Sequence, residues 1–404
     1  MKLAIHLLTW NGNKYIPYLF DSLRKQTFNN YKLIILDNAS TDDTVEKIKI
    51  ELQNFPVEYE LIINKENKGF AGGHNQLIVD CKTEYVLLLN QDMFLMPDCL
   101  EKLVEFMNSS SEVAVVSPRL MKWDFSCPSL TKRGWPTGRE SLPEFGQTSA
   151  TPSACLDGMS GRPTPSWKEG DIEKSFTNQI DTLGLKVLRN RRVVELNAGE
   201  DWSSCHCEEA DKKADEAIPM KQGIATSRSG VTRNDSAEVF GVSGALPMFR
   251  KSVIDEIGLF DETYGSYKED VDLAYRLRLA GHKAYVLLNA VAYHDRSAAG
   301  PENLGDSIAI ANKKQQSSWV KYHSYKNHLM TLIKNEYWQN YLLDLPFIKW
   351  YELKKFVYFL LFDRQVLKGL GELYKNFDQL KIKRKKIKEI RRVSWREMRK
   401  WWKH

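Results

Sequence analysis

Apolar strands that alternate with helices constrain the fold more than any other feature of the first 120 residues. Leu3–Leu8, Tyr31–Leu36, Val57–Ile63 and Tyr85–Leu89 have the composition of buried strands, and segments with helical spacing, such as Tyr15–Gln26, lie between them. This alternation of nearly continuous apolar strands with helices is typical of a parallel sheet that helices cover on both faces. The sequence therefore predicts an α/β fold with a mostly parallel central sheet flanked by helices.

Three of these strands end in polar residues. Thr9-Trp10-Asn11, Asp37-Asn38 and Asn90-Gln91-Asp92 each follow an apolar run directly. The carboxyl ends of parallel strands meet at one edge of the sheet, where ligands of such folds bind. A buried charge is costly without a partner, so Asp92 is expected to face a crevice that holds something positive. The pattern therefore predicts a ligand site at this edge.

The boundaries of several helices carry local signals. Ser40 or Thr41 is expected to cap a helix within STDDTVEKIKIEL, and Pro97 is expected in the first turn of the next helix. Gly281 is expected to end a helix near residue 280, because glycine tolerates the left-handed conformation that closes a helix. A glycine-rich turn, NKGFAGGHNQ, leads into a further helix after the third strand.

Two stretches of the middle region lack any hydrophobic periodicity. Residues 124–175 are rich in Ser, Pro, Gly and Thr, and residues 201–235 have a similar character, so both are interpreted as disordered insertions. The sequence between them, NQIDTLGLKVLRNRRVVELNAGE, is ordinary globular sequence. Cys205-His206-Cys207 lacks a matching second pair, so a free-thiol loop is favoured there over zinc.

The C-terminal region differs from the rest in charge. Residues 381–404 contain twelve Lys or Arg and two Glu, whereas the formal net charge of the chain is only +6. This distribution excludes a uniformly basic nucleic-acid-binding protein. By itself the basic tail could meet anionic lipid or nucleic acid, or could be a solvated helix end. Together with the segment that precedes it, its basic, Trp-rich composition favours a membrane surface. We therefore divide the chain into residues 1–312 and a helical, amphipathic, basic extension, residues 313–404.

Membrane contact is expected at the surface of a bilayer rather than across it. The segment LPFIKWYELKKFVYFLLF mixes apolar and aromatic residues with lysines, which is typical of an interfacial helix, although a buried helix or a dimer face would look similar. No apolar run approaches the ~20 residues that span a bilayer, and no signal peptide is recognised. The expected location is cytoplasmic, peripheral on the inner face of the cell membrane.

Three groups of residues could carry chemistry. Asp92 could ligate Mg²⁺ or Mn²⁺ through hard oxygens, or could cap the following helix. Glu269-Asp270-Val271-Asp272 lies at a helix start, where three acids exceed what the helix dipole requires and one could act as a general base. His294, at a strand end, could be a hydrogen-bonded neutral residue or a metal ligand. GFAGGHNQ lacks the spacing of a dinucleotide fingerprint.

Several strings, in this order along the chain, resemble the family 2 inverting glycosyltransferases with the GT-A fold, in particular the rhamnosyltransferase-like branch. The resemblance covers about residues 1–122 and 238–300. The strings are LLTWNGNKYIPYLFDSLRKQTF, LDNASTDDT, NKGFAGGHNQ, LLLNQDMFLMPD, GVSGALPMFRK, GLFDETYGSYKEDVDLAYRLRLAGHKAYV and YHDRS.

The resemblance implies roles for individual residues. Asp92 matches the last acid of the family's metal-binding DxD motif, Asn90 replaces the first, and His294 would complete the metal site. Asp270, with Glu269 beside it, would be the catalytic base. The nucleotide pocket would be lined by Thr9, Asn11, Asp37 and Asn38, and its floor would be shaped by Asn67, Gly69 and Asn75.

The implied reaction is a single displacement that inverts the sugar. The donor would be a nucleoside-diphosphate sugar, with dTDP-rhamnose suggested by the resemblance and UDP- or GDP-sugars as alternatives. The acceptor would be a hydroxyl of a glycan or lipid-linked saccharide of the cell envelope. A sugar-phosphate nucleotidyltransferase is disfavoured, because TWNGNKYIP replaces the basic glycine-rich loop that this class needs. A catalytically degenerate membrane scaffold remains the non-enzyme alternative.

Overall fold

The computed structural model describes residues 1–125, 172–203, 235–296, 314 and 316–402 of the 404-residue chain. A ten-stranded mixed sheet forms its centre. The strands are β1 Leu3–Thr9, β2 Tyr31–Asp37, β3 Tyr59–Ile63, β4 Tyr85–Asn90, β5 Met93–Leu95, β6 Val113–Trp123, β7 Phe176–Thr182, β8 Leu185–Val187, β9 Val193–Glu195, β10 Ser236–Val239, β11 Met248–Arg250 and β12 Lys283–His294, of which β8 and β9 form a separate hairpin.

The order of the main sheet is β10-β12-β6-β11-β4-β1-β2-β3, with β5 added to β12 and β7 added to β6. Strands β3, β2, β1 and β4 are mutually parallel, and the neighbours β6 and β12 form a second parallel pair. Strand β11 lies between β4 and β6 and is antiparallel to both. This is the mostly parallel sheet that the sequence predicted. Because β1 pairs with both β2 and β4 in register, Thr9 lies opposite Asp37, and Leu8 lies opposite Asn90.

The helices cover both faces of the sheet and extend beyond it. They are α1 Ile16–Arg24, α2 Thr44–Glu51, α3 Gly69–Ile78, α4 Cys99–Ser109, α5 Lys251–Ile257, α6 Glu269–Leu279, α7 Ser318–Asn335, α8 Trp338–Leu343, α9 Leu345–Phe362, α10 Lys368–Lys375, α11 Phe377–Ile390 and α12 Trp395–Arg399. Short 3₁₀ helices at Glu262–Tyr264 and Arg364–Leu367 join some of these elements.

Alternate residues of the strands belong to two different apolar cores, one on each face of the sheet. On one face, Leu3, Ile5 and Leu7 of β1 pack with residues of α1, α2 and α4. On the other face, Ala4 belongs to the core formed with α3, α5 and α6. Both faces of β1 are therefore buried, which is why its sequence is apolar at nearly every position.

Two predicted helix starts are wrong by a few residues. The second helix begins at Thr44 rather than after Ser40 or Thr41, because the Ser40 side chain bonds to Asp37 instead of capping the helix. Pro97 precedes α4, which begins at Cys99 with Asp98 at its N-cap, so it lies outside the first turn. Gly281 does follow α6 in the left-handed conformation, with φ of 83°.

The two predicted insertions lie mostly outside the described residues, and so do Cys205-His206-Cys207 and the boundary near residue 312. Their described edges are packed. Phe125 contacts the rings of Tyr15 and Tyr18, Ile172 is 2% exposed, and Ser175 accepts a hydrogen bond from Trp123. The predicted limits of 124 and 175 therefore extend into packed sequence.

The C-terminal extension is joined to the sheet domain through buried charges. Lys334 of α7 is 2% exposed and contacts both Asp261 and Asp272 of the sheet domain, at 2.5 and 2.9 Å. Arg191 is fully buried and pairs with Glu336 and Asp344. A buried pair is strongly destabilising to break, so these contacts fix the extension against the sheet domain.

Two of the tryptophans in the basic tail are engaged by arginines of the sheet domain. Trp402 is 2% exposed and lies over the Arg191 guanidinium, 4.3 Å from the ring centroid. Trp401 stacks on Arg278 at 4.1 Å. Both therefore pack against the sheet domain. Among the described residues, no helix is long and apolar enough to cross a membrane.

Two fully buried histidines make the fold acid-sensitive. Neither ring nitrogen of His6 or His74 has a hydrogen-bond partner among the described residues. Burial, then Lys251, lowers the pKa of His6 to about 4, and burial, then His6, lowers the pKa of His74 to about 3. Below pH 6.5 the unfolded chain therefore binds protons that the folded chain does not.

We predict that acid lowers the stability of the wild type more than that of His74→Leu. Each buried histidine costs up to ~1.4 kcal/mol per pH unit between pH 6.5 and its folded pKa, so the two proteins should differ by ~2 kcal/mol in their losses between pH 7 and pH 5. Urea unfolding at both pH values measures this. The partly exposed His282, which pairs with Glu256, provides the control variant His282→Gln. Equal losses in the wild type and His74→Leu would contradict the prediction.

Candidate active site

The loop after β2 is organised by a fully buried carboxylate. Asp37 accepts hydrogen bonds from Thr9 Oγ1 at 3.0 Å, from the Ser40 amide at 2.9 Å and from Ser40 Oγ at 2.5 Å. The resemblance implied that Asp37 points to a base. In this structure the Asp37 carboxylate is fully buried and is engaged by these three donors.

Hydrogen bonds of asparagine side chains connect this loop to the residues at the start of α3. Asn38 donates to Asn67 Oδ1 at 2.8 Å and to the carbonyl of Gly69 at 3.1 Å, and its own Oδ1 accepts from the Lys68 amide at 3.0 Å. Gly69 adopts a φ of 71°, which favours glycine. The structure therefore brings together Asn38, Asn67 and Gly69 as the resemblance implied.

Asn75 has a different position from its predicted partners. Its Nδ2 donates to the carbonyl of Phe260 at 2.9 Å and to Glu262 Oε1 at 3.0 Å. Its Oδ1 accepts from the Phe260 amide at 3.0 Å. These contacts join α3 to the loop before α6. The structure thus gives Asn75 contacts that link two elements.

The end of β1 is fastened to its two neighbours. Asn11, with φ of 48°, accepts a hydrogen bond from the Thr41 amide at 2.8 Å. Gln91 bonds to both backbone groups of Trp10, at 2.9 and 3.0 Å. A Cβ on Gly12 would overlap the Gln91 amide, so a larger residue there would displace Gln91 from its position beside Trp10. The strand ends therefore form one preorganised edge.

Asp92 and His294 face each other at this edge. His294 Nε2 lies 3.5 Å from Asp92 Oδ1, and that oxygen is buried and accepts no hydrogen bond from the described residues. Burial disfavours a charged imidazole, but Asp92 and Asp181 outweigh burial and raise the pKa of His294 to about 9. A buried carboxylate oxygen without a donor, next to an imidazole nitrogen, fits a divalent cation.

The protein side chains at this position provide only part of the ligand set that a metal ion needs. No group of three or more His, Cys, Asp or Glu side chains that could hold a metal occurs in the described ranges. Asp92 and His294 would therefore supply two ligands. Mg²⁺ and Mn²⁺ commonly combine one or two protein ligands with substrate phosphates, so this pair fits an ion that binds together with a diphosphate.

We call the pair of Asp92 and His294 the first pole of the site, and the start of α6 the second pole. Glu269 is 8% exposed, and its Oε2 accepts no hydrogen bond from the described residues. Burial, then Asp270, raises the pKa of Glu269 to about 8, and burial, then Glu195, raises the pKa of Asp270. Carboxyls with raised pKa values in a cleft are suited to proton transfer near neutral pH.

One cavity of about 700 Å³ joins the two poles. Its walls include Asn90, Asp92 and His294 on one side and Glu269 and Asp270 on another. A volume of this size is typical of a ligand pocket. The described residues of the extension complete the wall with aromatic and basic side chains, namely Trp319, Tyr351, Lys354, Lys355 and Tyr358.

Sequence reasoning missed several residues of this site. Asp181, Glu195 and Ser243 contact Arg296, and Arg296 itself lines the cavity. Arg296 lies two residues after His294 and could have been suspected from that position. Asp181 and Glu195 belong to short, mixed strands whose composition gave no signal, and only the fold brings them to the site.

The match with known families covers the N-terminal part of the chain. Residues 4–158 match the family described as Glycosyl transferase family 2. A chondroitin synthase of Pasteurella multocida (strain Pm70) is 31% identical over 345 residues, which is 82% of this chain and 33% of that protein. The uncharacterized glycosyltransferase YfnE of Bacillus subtilis (strain 168) is 24% identical over 309 residues, 76% of this chain and 68% of that protein.

Other matches are shorter or more distant. The putative glycosyltransferase EpsE of Bacillus subtilis (strain 168) is 27% identical over 123 residues, 30% of this chain and 44% of that protein. The chain thus spans less than half the length of EpsE and of the chondroitin synthase. The solved structure of the mannosyltransferase PcManGT from Pyrobaculum calidifontis has a TM-score of 0.44 at 13% identity, covering 93% of this chain and 75% of that chain.

The N-terminal part of this mixed α/β fold thus resembles family 2 glycosyltransferases. Over most of its length the chain is similar in sequence to proteins described as glycosyltransferases or polysaccharide synthases.

We predict that Asp37→Asn destabilises the fold. Asparagine keeps the shape but removes the charge that accepts three hydrogen bonds, and bonds to charged groups contribute ~1.5–3 kcal/mol each. The free energy of unfolding should fall by ~2–4 kcal/mol in denaturant titrations. Thr9→Val, which removes only one of the three bonds, should lose less. A stability within ~0.5 kcal/mol of wild type would contradict the structural role of Asp37.

Proposed function

We propose that this chain is a metal-dependent inverting glycosyltransferase, which moves a sugar from a nucleoside diphosphate to a hydroxyl of a glycan or lipid-linked saccharide. The observation that carries the proposal is the single cavity with two chemically different poles. Asp92 and His294 offer a cation site at one pole, and Glu269 and Asp270 offer carboxyls at the other. Both functions assist the transfer of a sugar from a nucleoside diphosphate to a hydroxyl, because a cation stabilises the departing diphosphate and a carboxylate accepts the proton of the attacking hydroxyl.

The strand-end edge is proposed to bind the donor. Thr9, Asn11, Asp37 and Asn38 hold the loops that would enclose the nucleoside, and Asn67 and Gly69 support them from below. Asn90 and Asp92 would lie next to the diphosphate. When bound there with Asp92 and His294, Mg²⁺ or Mn²⁺ would supply positive charge to the leaving group.

Asp270 is proposed as the general base. It lines the cavity, and its raised pKa increases its affinity for a proton relative to an ordinary aspartate. It would remove the proton from the acceptor hydroxyl as that oxygen attacks the anomeric carbon opposite the diphosphate. With no enzyme nucleophile in this step, a single displacement inverts the configuration.

The donor can be identified by thermal stability. We predict that one of UDP, dTDP and GDP raises the Tm only when Mn²⁺ is present, and that Asp92→Ala abolishes the rise. A ligand at ~100 times its dissociation constant adds ~2.7 kcal/mol to the native state. A metal-dependent rise with dTDP would favour rhamnose as the sugar, as the resemblance suggests. No rise with any nucleotide in a folded sample would favour the scaffold alternative.

The role of Asp270 predicts a separation of binding from turnover. Asp270→Asn should keep the nucleotide-induced rise in Tm but lose ~10²–10⁴ in kcat, because a positioned base contributes about this much. In the wild type, kcat/KM should fall as the pH drops through the pKa of the base, at a pH above the ordinary value of 3.8 for aspartate. Release of nucleoside diphosphate from the donor measures kcat and kcat/KM. Turnover within threefold of wild type would exclude Asp270 as the base.

We further propose that helices α8 and α9 rest on an anionic membrane surface, which a lipid-linked acceptor would require. Residues at helical spacing form an outward apolar face, each 40–71% exposed: Trp338, Leu342, Leu343, Phe347, Trp350, Leu353, Val357, Leu360, Leu361 and Phe362. The opposite side of α9 is buried through Ile348, Lys355 and Phe359.

Charge around this apolar face favours an anionic surface over a second protein copy. The acids of the region are engaged inward: Asp344 is fully buried with arginines, Glu352 pairs with His328 and Lys355, and Asp363 pairs with Lys321. Basic side chains, by contrast, lie exposed at Lys349, Arg364, Lys368 and Lys375. Such an arrangement attracts anionic lipid headgroups.

We predict that Trp350→Glu weakens binding to vesicles that contain anionic lipid. Burial of one large apolar side chain contributes ~1.5–3 kcal/mol, so the partition coefficient should fall ~10–100-fold in a sedimentation assay. Val79→Glu changes an exposed apolar residue at the end of α3, outside α8 and α9, and should bind like wild type. Failure of the wild type to bind vesicles, together with a dimer in solution that Trp350→Glu dissociates, would identify the face as a dimer contact instead.

A further inference from the structure

A buried carboxylate on β7 contacts His294 from the side opposite Asp92. Asp181 is 4% exposed, and its Oδ2 lies 2.9 Å from His294 Nδ1. The sequence assigned no role to Asp181. It reaches His294 because β7 pairs with β6, which in turn pairs with β12, the strand that ends at His294.

The two ring nitrogens of His294 therefore have different surroundings. Nδ1 meets the Asp181 carboxylate, and Nε2 meets Asp92 across 3.5 Å. A carboxylate can only accept a hydrogen bond, so it requires a proton on Nδ1. With Nδ1 protonated, Nε2, the nitrogen that faces Asp92 and the cavity, is the one that can give up its proton to bind a cation.

A second contact holds Asp181 in place. Arg296 lies 3.1 Å from the same Oδ2 and also bonds to Glu195 Oε1 at 2.8 Å and to Ser243 Oγ at 3.2 Å. Asp181 is thus fixed by two partners, and Arg296 is fixed by three groups from different parts of the fold. The segment that carries Asp181 and Glu195, residues 176–195, therefore belongs to the wall of the site.

We propose that Asp181 is a positioning residue, which holds the His294 ring so that Nε2 presents its lone pair to a metal ion beside Asp92. This inference rests on the metal site of the proposed function and extends it to β7. Carboxylates that orient metal-binding histidines in this way typically raise metal affinity 10–100-fold. The competing explanation is that Asp181 only neutralises Arg296, which would affect stability but not metal affinity.

Metal affinity of the folded protein separates these explanations. Mn²⁺ is titrated by electron paramagnetic resonance, alone and with saturating UDP, dTDP or GDP, into wild type, Asp181→Asn and Gln179→Ala. Gln179 is an exposed residue on the same strand, bonded to Lys122, and provides the matched control. We expect the dissociation constant for Mn²⁺ to rise 10–100-fold in Asp181→Asn and to stay unchanged in Gln179→Ala.

A double variant tests the route of the effect. If Asp181 acts through the imidazole, His294→Gln alone should weaken Mn²⁺ binding, and adding Asp181→Asn should weaken it little further. Independent, multiplying losses would show that Asp181 acts on the metal by another route and would overturn the positioning role.

The remaining outcomes are distinguishable. Folded Asp181→Asn with Mn²⁺ affinity within threefold of wild type overturns the inference and leaves the metal site intact. A wild type that binds no Mn²⁺ with any of the three nucleotides removes the metal site itself and the inference with it. Should Asp181→Asn not fold, ¹⁵N shifts of the His294 ring in wild type with Mg²⁺ and nucleotide decide, because a proton on Nε2 rather than Nδ1 would overturn the proposal.

Discussion

The parallel pairing of β1 with β2 and β4 is the constraint on which the rest of the site depends. It sets Thr9 opposite Asp37 and ends all three strands at one edge. Polar side chains placed there can bond to one another instead of to water, as Asp37 does with Thr9 and Ser40. The apolar strands thus position the polar loops. Hydrogen bonds between the ends of β1, β2 and β4 hold these loops in place.

The second half of the site depends on a different kind of interaction. Buried ion pairs bring together elements that are far apart in sequence, such as Arg296 with Asp181 and Glu195. Each such group would be costly to bury alone, and the cost is offset only when all partners are present. This interdependence explains why the wall formed by residues 176–195 and the end of β12 form one unit.

Local sequence signals predicted the first half well. Strands β1, β2 and β4 fall within one residue of their expected limits, because continuous apolar runs are unambiguous in a parallel sheet. Helix starts were less predictable, since Ser40 could cap a helix or bond to Asp37, and only the fold decides. Asp181 was not predictable, because its partner His294 is 113 positions away. The packing of Trp402 and Trp401 was not predictable for the same reason, because Arg191 and Arg278 are remote in sequence.

Helix α9 has one further consequence for the geometry of the acceptor. Tyr351, Lys354 and Tyr358 of this helix line the cavity, while Trp350, Leu353 and Val357 lie exposed on its outer side. An α-helix with its side chains is ~10 Å thick. The cavity and whatever covers the outer side are therefore separated by the width of a single helix. If a bilayer covers that side, as proposed, an acceptor tethered to it has to reach ~10 Å, past α9, before it enters the cavity.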